Sequence, residues 1–431
     1  MTPGARGAAE RVDPSAPRGR VRVLLVSRVW EQAVIGLSTL VLARQLGVLR
    51  FAPVSTLFVI NSFAVTVSDF GLGLAVLRLP PRATIRLAVL RRARLANSAI
   101  AATGLATGYA VGGSAGRIIA ASGLIWATSA EAYVRKAGAI RDNHAGQAAL
   151  AEVVGTTILL TAAVVGATRP SSAVAVVAAG FVLKHTAEAA LVRHWRGAFA
   201  TDEGASLRSD VGLLWGAQLL SFLAANVDYV TVGVLLSRPS FSVYVIGFRL
   251  ANAVPAQISY VTGRISLVDF GRARDQAERQ ATYDRYVARL FGVGVAGAAV
   301  TLAVAPLLPV VLGSSWRPVS GVIAVLALGV PWRMVLSVAS AMVLAGGQTK
   351  RSLRWEGTRL VLSTAVFAAA AAGGFPIFVV TVTLTWTAAA LAYHTRGGIA
   401  VGVRPWPLLV PTAAVTAAIA IAGGTLVHAV H

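Results

Sequence analysis

Thirteen long apolar stretches follow one another from about residue 21 to the C-terminus, and they limit the possible folds more than any other feature. A helix needs about 20 mostly apolar residues to cross the hydrocarbon layer of a membrane. The sequence therefore predicts an all-α integral membrane protein with about thirteen transmembrane helices. The predicted spans are residues 23–43, 52–77, 95–112, 116–134, 146–168, 172–192, 211–236, 241–267, 288–312, 319–346, 357–373, 376–394 and 406–428.

Composition excludes several classes of protein. Of the 431 residues, 56% are hydrophobic and only 13% are charged, which is unlike a soluble protein of this length. The net charge of +22 does not indicate a nucleic-acid partner, because the basic residues lie in short segments between spans. The absence of cysteine excludes disulfides and cysteine-ligated metals, and no phosphate-binding loop for ATP is present. We expect no cofactor and no metal.

The basic residues alternate between the two sides of the predicted membrane protein. Segments on one side carry 25 Lys and Arg residues, and segments on the other carry 6. Because positive residues remain on the cytoplasmic side, this bias predicts a cytoplasmic N-terminus, and thirteen spans then place the short C-terminus outside. The outer loops are very short and contain no Asp or Glu, so they leave no room for a catalytic domain.

Weak internal similarity indicates two related halves. Residues 44–61 and 233–252 both join two spans through a tight basic turn, and residues 152–160 and 356–364 both begin a span with Glu. This spacing predicts a parallel repeat of two six-helix units, a common plan among transporters. The predicted domains are a disordered cytoplasmic tail (1–20), an N-terminal lobe (21–196), a linker (197–210), a C-terminal lobe (211–396) and an extra terminal helix (397–431).

Three segments together resemble bacterial polysaccharide flippases of the O-antigen type. Residues 42–78, LARQLGVLRFAPVSTLFVINSFAVTVSDFGLGLAVLR, resemble the first helical hairpin of that family. Residues 221–252 resemble its seventh and eighth helices, including the sequence NVD and the Tyr-x-x-x-Phe-Arg turn, and residues 268–290 resemble the inner loop that follows. Members of this family often end with a pair of extra helices, whereas only one is predicted here.

The resemblance implies a fold, a cargo and a location. The family belongs to the superfamily of multidrug and toxin extrusion (MATE) antiporters, so two six-helix lobes in a V are expected around a cavity that opens alternately to each side. The implied cargo is a polyprenyl-diphosphate-linked oligosaccharide that is flipped to the outer leaflet of the bacterial cytoplasmic membrane. We expect a monomer whose partners are membrane lipids, a glycan polymerase and glycosyltransferases.

Charged residues inside the predicted spans are the candidate site. An ionisable group in the hydrocarbon layer costs roughly 2.5 kcal/mol or more, so it normally faces a partner or a wet cavity. Guanidinium and ammonium groups suit a diphosphate. The predicted substrate-binding residues are Arg333, Arg249, Arg28 and Lys184. The acids Asp69, Asp228, Glu31 and Glu188 are predicted either to bind a coupling ion or to form ion pairs.

Several alternatives remain open at this stage. The groups Arg28–Glu31–Asp69, Lys184–Glu188 and Asp228–Arg249 could be purely structural ion pairs. On the same scaffold, a cation-coupled multidrug antiporter would need a cavity lined by acids. A membrane glycosyltransferase, polymerase or ligase would need catalytic groups in an outer loop.

Overall fold

The computed structural model describes residues 16–73, 76, 85–142, 144–192, 199–200 and 208–404. Within them the fold is made of long helices. These are α1 (Ala16–Val67), α2 (Leu87–Val111), α3 (Gly113–Arg141), α4 (Ala145–Thr168), α5 (Ala173–Leu191), α6 (Arg208–Leu235), α7 (Arg238–Arg272), α8 (Gln276–Val304), the short α9 (Leu308–Leu312), α10 (Arg317–Ala345), α11 (Thr349–Ala372) and α12 (Phe375–Ala400). Two 3₁₀ turns flank α9, and strands β1 (Ile85–Arg86) and β2 (Phe199–Ala200) form one short parallel pair.

Helix α1 consists of two arms that fold back on each other at Gly47. This residue has φ 66° and ψ 173°, a conformation that glycine adopts without steric cost. In a straight helix, Glu31 and Asn61 would be about 45 Å apart. Instead they contact the neighbouring residues Lys184 and His185, at 3.4 Å and 2.7 Å. The two arms are therefore separate spans joined by a tight turn.

The described residues contain twelve long helical segments, counting the two arms of α1 separately, and these correspond to the first twelve predicted spans. By length and apolarity alone, six stretches of the described residues are long and apolar enough to cross a membrane, one of them containing both arms of α1. The predicted thirteenth span, residues 406–428, lies outside the described residues. A shorter apolar stretch, Leu219–Leu235, lies in α6.

The predicted second span, residues 52–77, contains a turn. Helix α1 ends at Val67, residues 68–71 form the turn, and helical residues resume at Leu72, Gly73 and Val76. The Asp69 carboxylate accepts hydrogen bonds from the backbone N–H groups of Gly71 (3.0 Å) and Gly73 (2.8 Å). Aspartate binds nearby backbone N–H groups in this way in turns, and such bonds compete with helix continuation. Apolar residues after Asp69 continue the hydropathy signal across this turn.

Connections alternate between two ends of the molecule. We name the first the basic end; it carries the connections at 142–144, 273–275 and 346–348, next to several Arg and Lys residues. We name the second the short-loop end; it carries the connections at 112, 169–172, 236–237 and 373–374, together with the Gly47 turn. Many helices extend beyond the predicted spans at the basic end, because charged residues can remain helical once they leave the hydrocarbon layer.

The helices pack in two groups. Helices α1, α3, α4 and α5 pack around one another, with α2 on α3; we call this group the N-lobe. Helices α7, α8 and α12 pack around the buried α10, and α11 packs on α6; we call this group the C-lobe. The predicted domain boundaries remain predictions. Helix α1 begins at Ala16, inside the predicted tail, and only 199–200 and 208–210 of the predicted linker are described.

The second arm of α1 provides contacts between the lobes along its length. Near the short-loop end, Ser242 Oγ donates a hydrogen bond to the carbonyl of Val48 at 2.7 Å. Near the basic end, Trp215 Nε1 donates to the carbonyl of Val67 at 2.8 Å. Between them, the Phe63 and Phe222 rings lie 5.4 Å apart. Movement of one lobe against the other must therefore change the surroundings of this arm.

Single-cysteine labelling tests this arrangement of ends, since the chain has no cysteine of its own. Ser237 and Ser314 are exposed at the short-loop end, and Lys350 is exposed at the basic end. We expect a membrane-impermeant maleimide to label Ser237→Cys and Ser314→Cys in intact cells, and Lys350→Cys only after permeabilisation. Labelling of Lys350→Cys in intact cells would contradict the topology.

Candidate functional site

A group of six charged side chains lies within the N-lobe, and all of them except the partly exposed Arg28 are largely buried. It contains three carboxylates and three cations, so its formal charge is zero. We call it the N-lobe charge cluster; its members are Arg28, Glu31, Lys136, Glu152, Lys184 and Glu188. Four helices contribute to it: the first arm of α1, α3, α4 and α5.

Lys184 lies at the centre of the N-lobe charge cluster. Its Nζ atom is 2.5 Å from Glu188 Oε1 and 3.4 Å from Glu31 Oε1. The exposed fraction of the side chain is 2% for Lys184 and 0% for Glu188. The spacing of four residues on α5 places Lys184 and Glu188 on one face, as the sequence indicated. The predicted ion pair between them is present, and its ammonium group also bridges to α1.

Cations from two other helices complete the cluster. Arg28 Nη1 lies 2.7 Å from Glu31 Oε2 and 2.9 Å from Glu152 Oε1. Lys136 Nζ lies 2.9 Å from Glu188 Oε2. Each carboxylate therefore has at least one cation within hydrogen-bonding distance. Burying such charges is tolerable only when each one is paired, and this arrangement meets that requirement.

Neutral polar groups extend the cluster. His185 Nε2 lies 2.7 Å from Asn61 Oδ1, and His185 Nδ1 lies 3.4 Å from Glu188 Oε2. Ser27 Oγ donates a hydrogen bond to Glu152 Oε2 at 3.1 Å. The hydrogen bond between His185 and Asn61 ties α5 to the second arm of α1. The N-lobe thus holds its charges in a network that also fixes the packing of its helices.

The proposed association of Asp69 with Arg28 and Glu31 is wrong. Asp69 is buried, but its two carboxylate oxygens accept the backbone hydrogen bonds that end the second arm of α1. No ion pair of Asp69 occurs among the described residues. Their distances from the ends of the predicted spans place the three residues at a similar depth in the membrane. Depth does not fix the direction in which a side chain points.

The suggested ion pair between Asp228 and Arg249 is also absent among the described residues. Asp228 Oδ2 accepts a hydrogen bond from the Tyr244 hydroxyl at 2.5 Å, and Oδ1 accepts one from the backbone N–H of Tyr229 at 2.9 Å. The guanidinium carbon of Arg249 lies instead 4.6 Å from the centre of the Phe58 ring. The two residues share a depth in the C-lobe but have different partners.

Arg249 lies where the two lobes meet. It belongs to α7, whereas Phe58 belongs to the second arm of α1. Its Nε atom is buried and has no hydrogen-bond partner in the described structure. Stacking of a guanidinium on an aromatic face contributes about 0.5–2 kcal/mol, which compensates only part of the cost of burying the charge. Arg249 therefore retains a donor for a ligand.

Arg333 has similar surroundings within the C-lobe. Its guanidinium carbon lies 4.6 Å from the centre of the Phe248 ring and 4.4 Å from the ring of Trp386. Its Nη1 atom has no hydrogen-bond partner, and no ion pair of Arg333 occurs among the described residues. The aromatic faces keep its guanidinium in place while leaving hydrogen-bonding capacity unused.

A cavity of about 380 Å³ lies beside Arg333; we call it the C-lobe cavity. Residues of helices α6, α7, α10, α11 and α12 line it, and it extends from Arg333 toward residues near the basic end such as Leu267 and Leu344. Sequence reasoning did not select two of its charged residues, Glu356 and Arg359. The candidate site was limited to charged residues inside predicted spans. Glu356 lies just outside predicted span 357–373, so the sequence indicated it only as a marker of the repeat.

Solved structures with a similar fold are transporters. A multidrug resistance MATE family transporter of the MOP superfamily, in an inward-facing conformation, has a TM-score of 0.69 at 15% identity, covering 86% of this chain and 94% of that chain. A MATE structure in complex with MaL6 has a TM-score of 0.69 at 14% identity, covering 90% and 96%. A MOP superfamily transporter from Pyrococcus furiosus Vc1 (DSM3638), described as having a binding pocket of reverse polarity, has a TM-score of 0.65 at 15% identity, covering 91% and 99%.

These observations define a multi-pass helical membrane protein with the MATE-like transporter fold. No match was found among curated proteins. The chain belongs to the polysaccharide biosynthesis protein family, whose sequence profile matches residues 41–321. Both the predicted fold class and the predicted family are confirmed.

Charge balance in the N-lobe charge cluster can be tested by stability. Lys184→Met leaves three carboxylates facing two cations, and removing one partner from a buried ion pair costs about 3–5 kcal/mol. The double substitution Lys184→Met and Glu31→Gln leaves two balanced pairs, Arg28–Glu152 and Lys136–Glu188. We expect the single variant to unfold at a lower temperature than the double variant in detergent. A double variant less stable than the single one would contradict this account.

Proposed function

We propose that this protein flips a polyprenyl-diphosphate-linked oligosaccharide from the cytoplasmic to the outer leaflet by alternating access. The observation that carries this proposal is the pair of guanidinium groups, Arg249 and Arg333, that stack on aromatic rings, form no ion pair within 4.0 Å among the described residues and each keep an unused hydrogen-bond donor. Membership of a polysaccharide biosynthesis family and the transporter fold support the same function.

Charge in the two lobes differs in a way that favours an anionic cargo. The N-lobe charge cluster is formally neutral. Along the C-lobe cavity, by contrast, the one acid, Glu356, is already paired with Arg359, and Arg333 adds a further positive charge. A diphosphate can satisfy free guanidinium donors through charge-assisted hydrogen bonds. We therefore assign phosphate binding first to Arg333 and Arg249. Lys184 and Arg28 would have to leave existing ion pairs before they could take that role.

The proposed path keeps the lipid tail in the bilayer while the glycan crosses between the lobes. The basic end would face the cytoplasm of a bacterium. Rocking of one lobe against the other would change the contact of Arg249 with Phe58, which joins them. No covalent bond changes in this process, so the proposed protein is a transporter and not an enzyme. Asp228 and Glu188, engaged with Tyr244 and with lysines, remain candidates for ion coupling.

The other functions fit these residues less well. A multidrug antiporter that exchanges cationic compounds would need unpaired acids in its cavity, and the one acid lining the C-lobe cavity has an arginine partner. A polymerase or glycosyltransferase would need catalytic groups beyond the membrane. Connections at the short-loop end such as residues 169–172 and 236–237 contain only a few residues, too few for a folded domain.

Substitution of the two guanidiniums tests the proposal. Arg333→Ala and Arg249→Ala each remove a charged donor, and loss of such a hydrogen bond should weaken diphosphate binding roughly 10- to 100-fold. We expect both variants to reduce export of surface glycan at normal expression. Lys substitutions should have intermediate effects, because an ammonium lacks the planar fork of a guanidinium.

A surface arginine provides the control for these variants. Arg117 is exposed at the short-loop end, and its hydrogen bond within the described residues goes to the carbonyl of Gly113, so Arg117→Ala should leave export unchanged. Unchanged export in both Arg333→Ala and Arg249→Ala, at wild-type protein levels, would show that these residues do not bind the cargo.

A further inference from the structure

The C-lobe cavity has a polar lining that phosphate binding by Arg333 does not explain. Besides Arg333, its polar residues include Ser221, Ser259, Ser340, Glu356 and Arg359. Its volume of about 380 Å³ is near the lower end of the roughly 300–1,000 Å³ that is usual for small-molecule sites. It is therefore large enough for a compact polar group such as one sugar ring.

The relation between the lobes explains why this cavity exists. Helices α3 and α10 have equal lengths and begin 204 residues apart, as do α4 and α11. Positions 204 residues apart are therefore equivalent in the two lobes, so Lys136 corresponds to Ser340 and Glu152 corresponds to Glu356. The C-lobe thus keeps the buried glutamate but has a serine where the N-lobe has a lysine.

A second offset gives the same result for the first helical hairpin of each lobe. The turns at Gly47 and Ser237 are 190 residues apart. This offset matches Glu31 with Ser221. A charged side chain that fills the interior of the N-lobe is again matched by a serine in the C-lobe. The C-lobe cavity therefore occupies the space that corresponds to the N-lobe charge cluster.

Glu356 and Arg359 offer the donors and acceptors that a sugar needs. Arg359 Nε donates a hydrogen bond to Glu356 Oε2 at 2.9 Å, and Arg359 Nη2 lies 2.6 Å from the same oxygen. Arg359 Nη2 also lies 3.3 Å from the carbonyl of Ser221. Glu356 Oε1 accepts no hydrogen bond from a described side chain. The Glu356 carboxylate can accept a hydrogen bond from one sugar hydroxyl while the adjacent Arg359 guanidinium donates to the neighbouring hydroxyl, since every hydroxyl is both donor and acceptor.

We propose that the C-lobe cavity binds the sugar residue attached directly to the diphosphate. Glu356 and Arg359 contact its hydroxyl groups, while Arg333, which lines the same cavity, contacts the adjoining phosphate. This assignment rests on the proposed function, and it adds a specificity site to it: the protein distinguishes a glycan-loaded lipid from the bare polyprenyl diphosphate. The N-lobe has no room for an equivalent site, because its charged side chains occupy the corresponding space.

Binding measurements on the purified full-length protein in detergent can test this site. The probes are farnesyl diphosphate and the same lipid carrying glucose, galactose or N-acetylglucosamine. The wild type should bind at least one sugar-bearing probe roughly tenfold more tightly than the bare lipid, the effect of about one hydrogen bond to a charged group. Glu356→Gln should abolish that preference while changing the affinity for bare farnesyl diphosphate by less than about twofold.

Two further variants make the result decisive. Ser340→Leu fills the cavity without touching the ion pair, and it should remove the same preference even if Glu356→Gln folds poorly. Glu131 pairs with Arg94 and Arg135 outside the C-lobe cavity, so Glu131→Gln should retain the preference. Equal weakening of all probes by Glu356→Gln and Ser340→Leu, or no effect of either, would overturn the sugar site. Failure of the wild type to bind any probe would overturn the proposed function as well.

Discussion

The cost of placing charge in a low-dielectric interior governs the whole structure. An ion in the hydrocarbon layer needs a partner, a polar cavity or a polarisable surface. In the N-lobe the buried charges are stabilised by oppositely charged side chains, since each cation of the charge cluster lies within 4.0 Å of a carboxylate. The C-lobe uses aromatic surfaces and a cavity, as Arg333 between Phe248 and Trp386 shows. The difference in charge between the lobes is therefore built into related positions of one repeated plan.

This difference suggests a division of roles between the lobes. A network of balanced ion pairs holds the N-lobe helices together, because separating any pair would leave an uncompensated charge. The C-lobe has unused donors and open volume, which are the properties of a ligand site. The second arm of α1 lies between them and carries Phe58, on which Arg249 stacks. A ligand that draws Arg249 away from Phe58 would alter the contact between the lobes, which links binding to movement in the proposed mechanism.

Much of the fold could be predicted from sequence, because membrane helices carry a strong apolar signal and a charge bias between sides. Residues 23–43 and 52–77 were recognised as two spans although Gly47 provides the only break between their helices. The turn within the second predicted span could not be predicted, since it depends on the hydrogen bonds of Asp69 to Gly71 and Gly73. Hydropathy measures the transfer of side chains and does not detect a turn of this kind.

The site was predicted less completely, because sequence shows the depth of a charge but not its direction. Lys184 and Glu188 were paired correctly, since four residues on one helix define a shared face. Ion pairs between residues of different helices could not be predicted from the sequence. Asp228, for example, accepts a hydrogen bond from Tyr244 and does not pair with Arg249. Glu356 was predicted only as a marker of the repeat, and its significance depends on a cavity whose lining includes Ser221 and Ser340 from other helices.

A cryo-electron microscopy map of the protein in lipid nanodiscs with farnesyl diphosphate would show directly whether the diphosphate binds at Arg333. We predict diphosphate density within hydrogen-bonding distance of the Arg333 guanidinium, while the N-lobe charge cluster keeps its ion pairs. Diphosphate density against Lys184 or Arg28, or acyl-chain density against Arg333, would contradict this prediction.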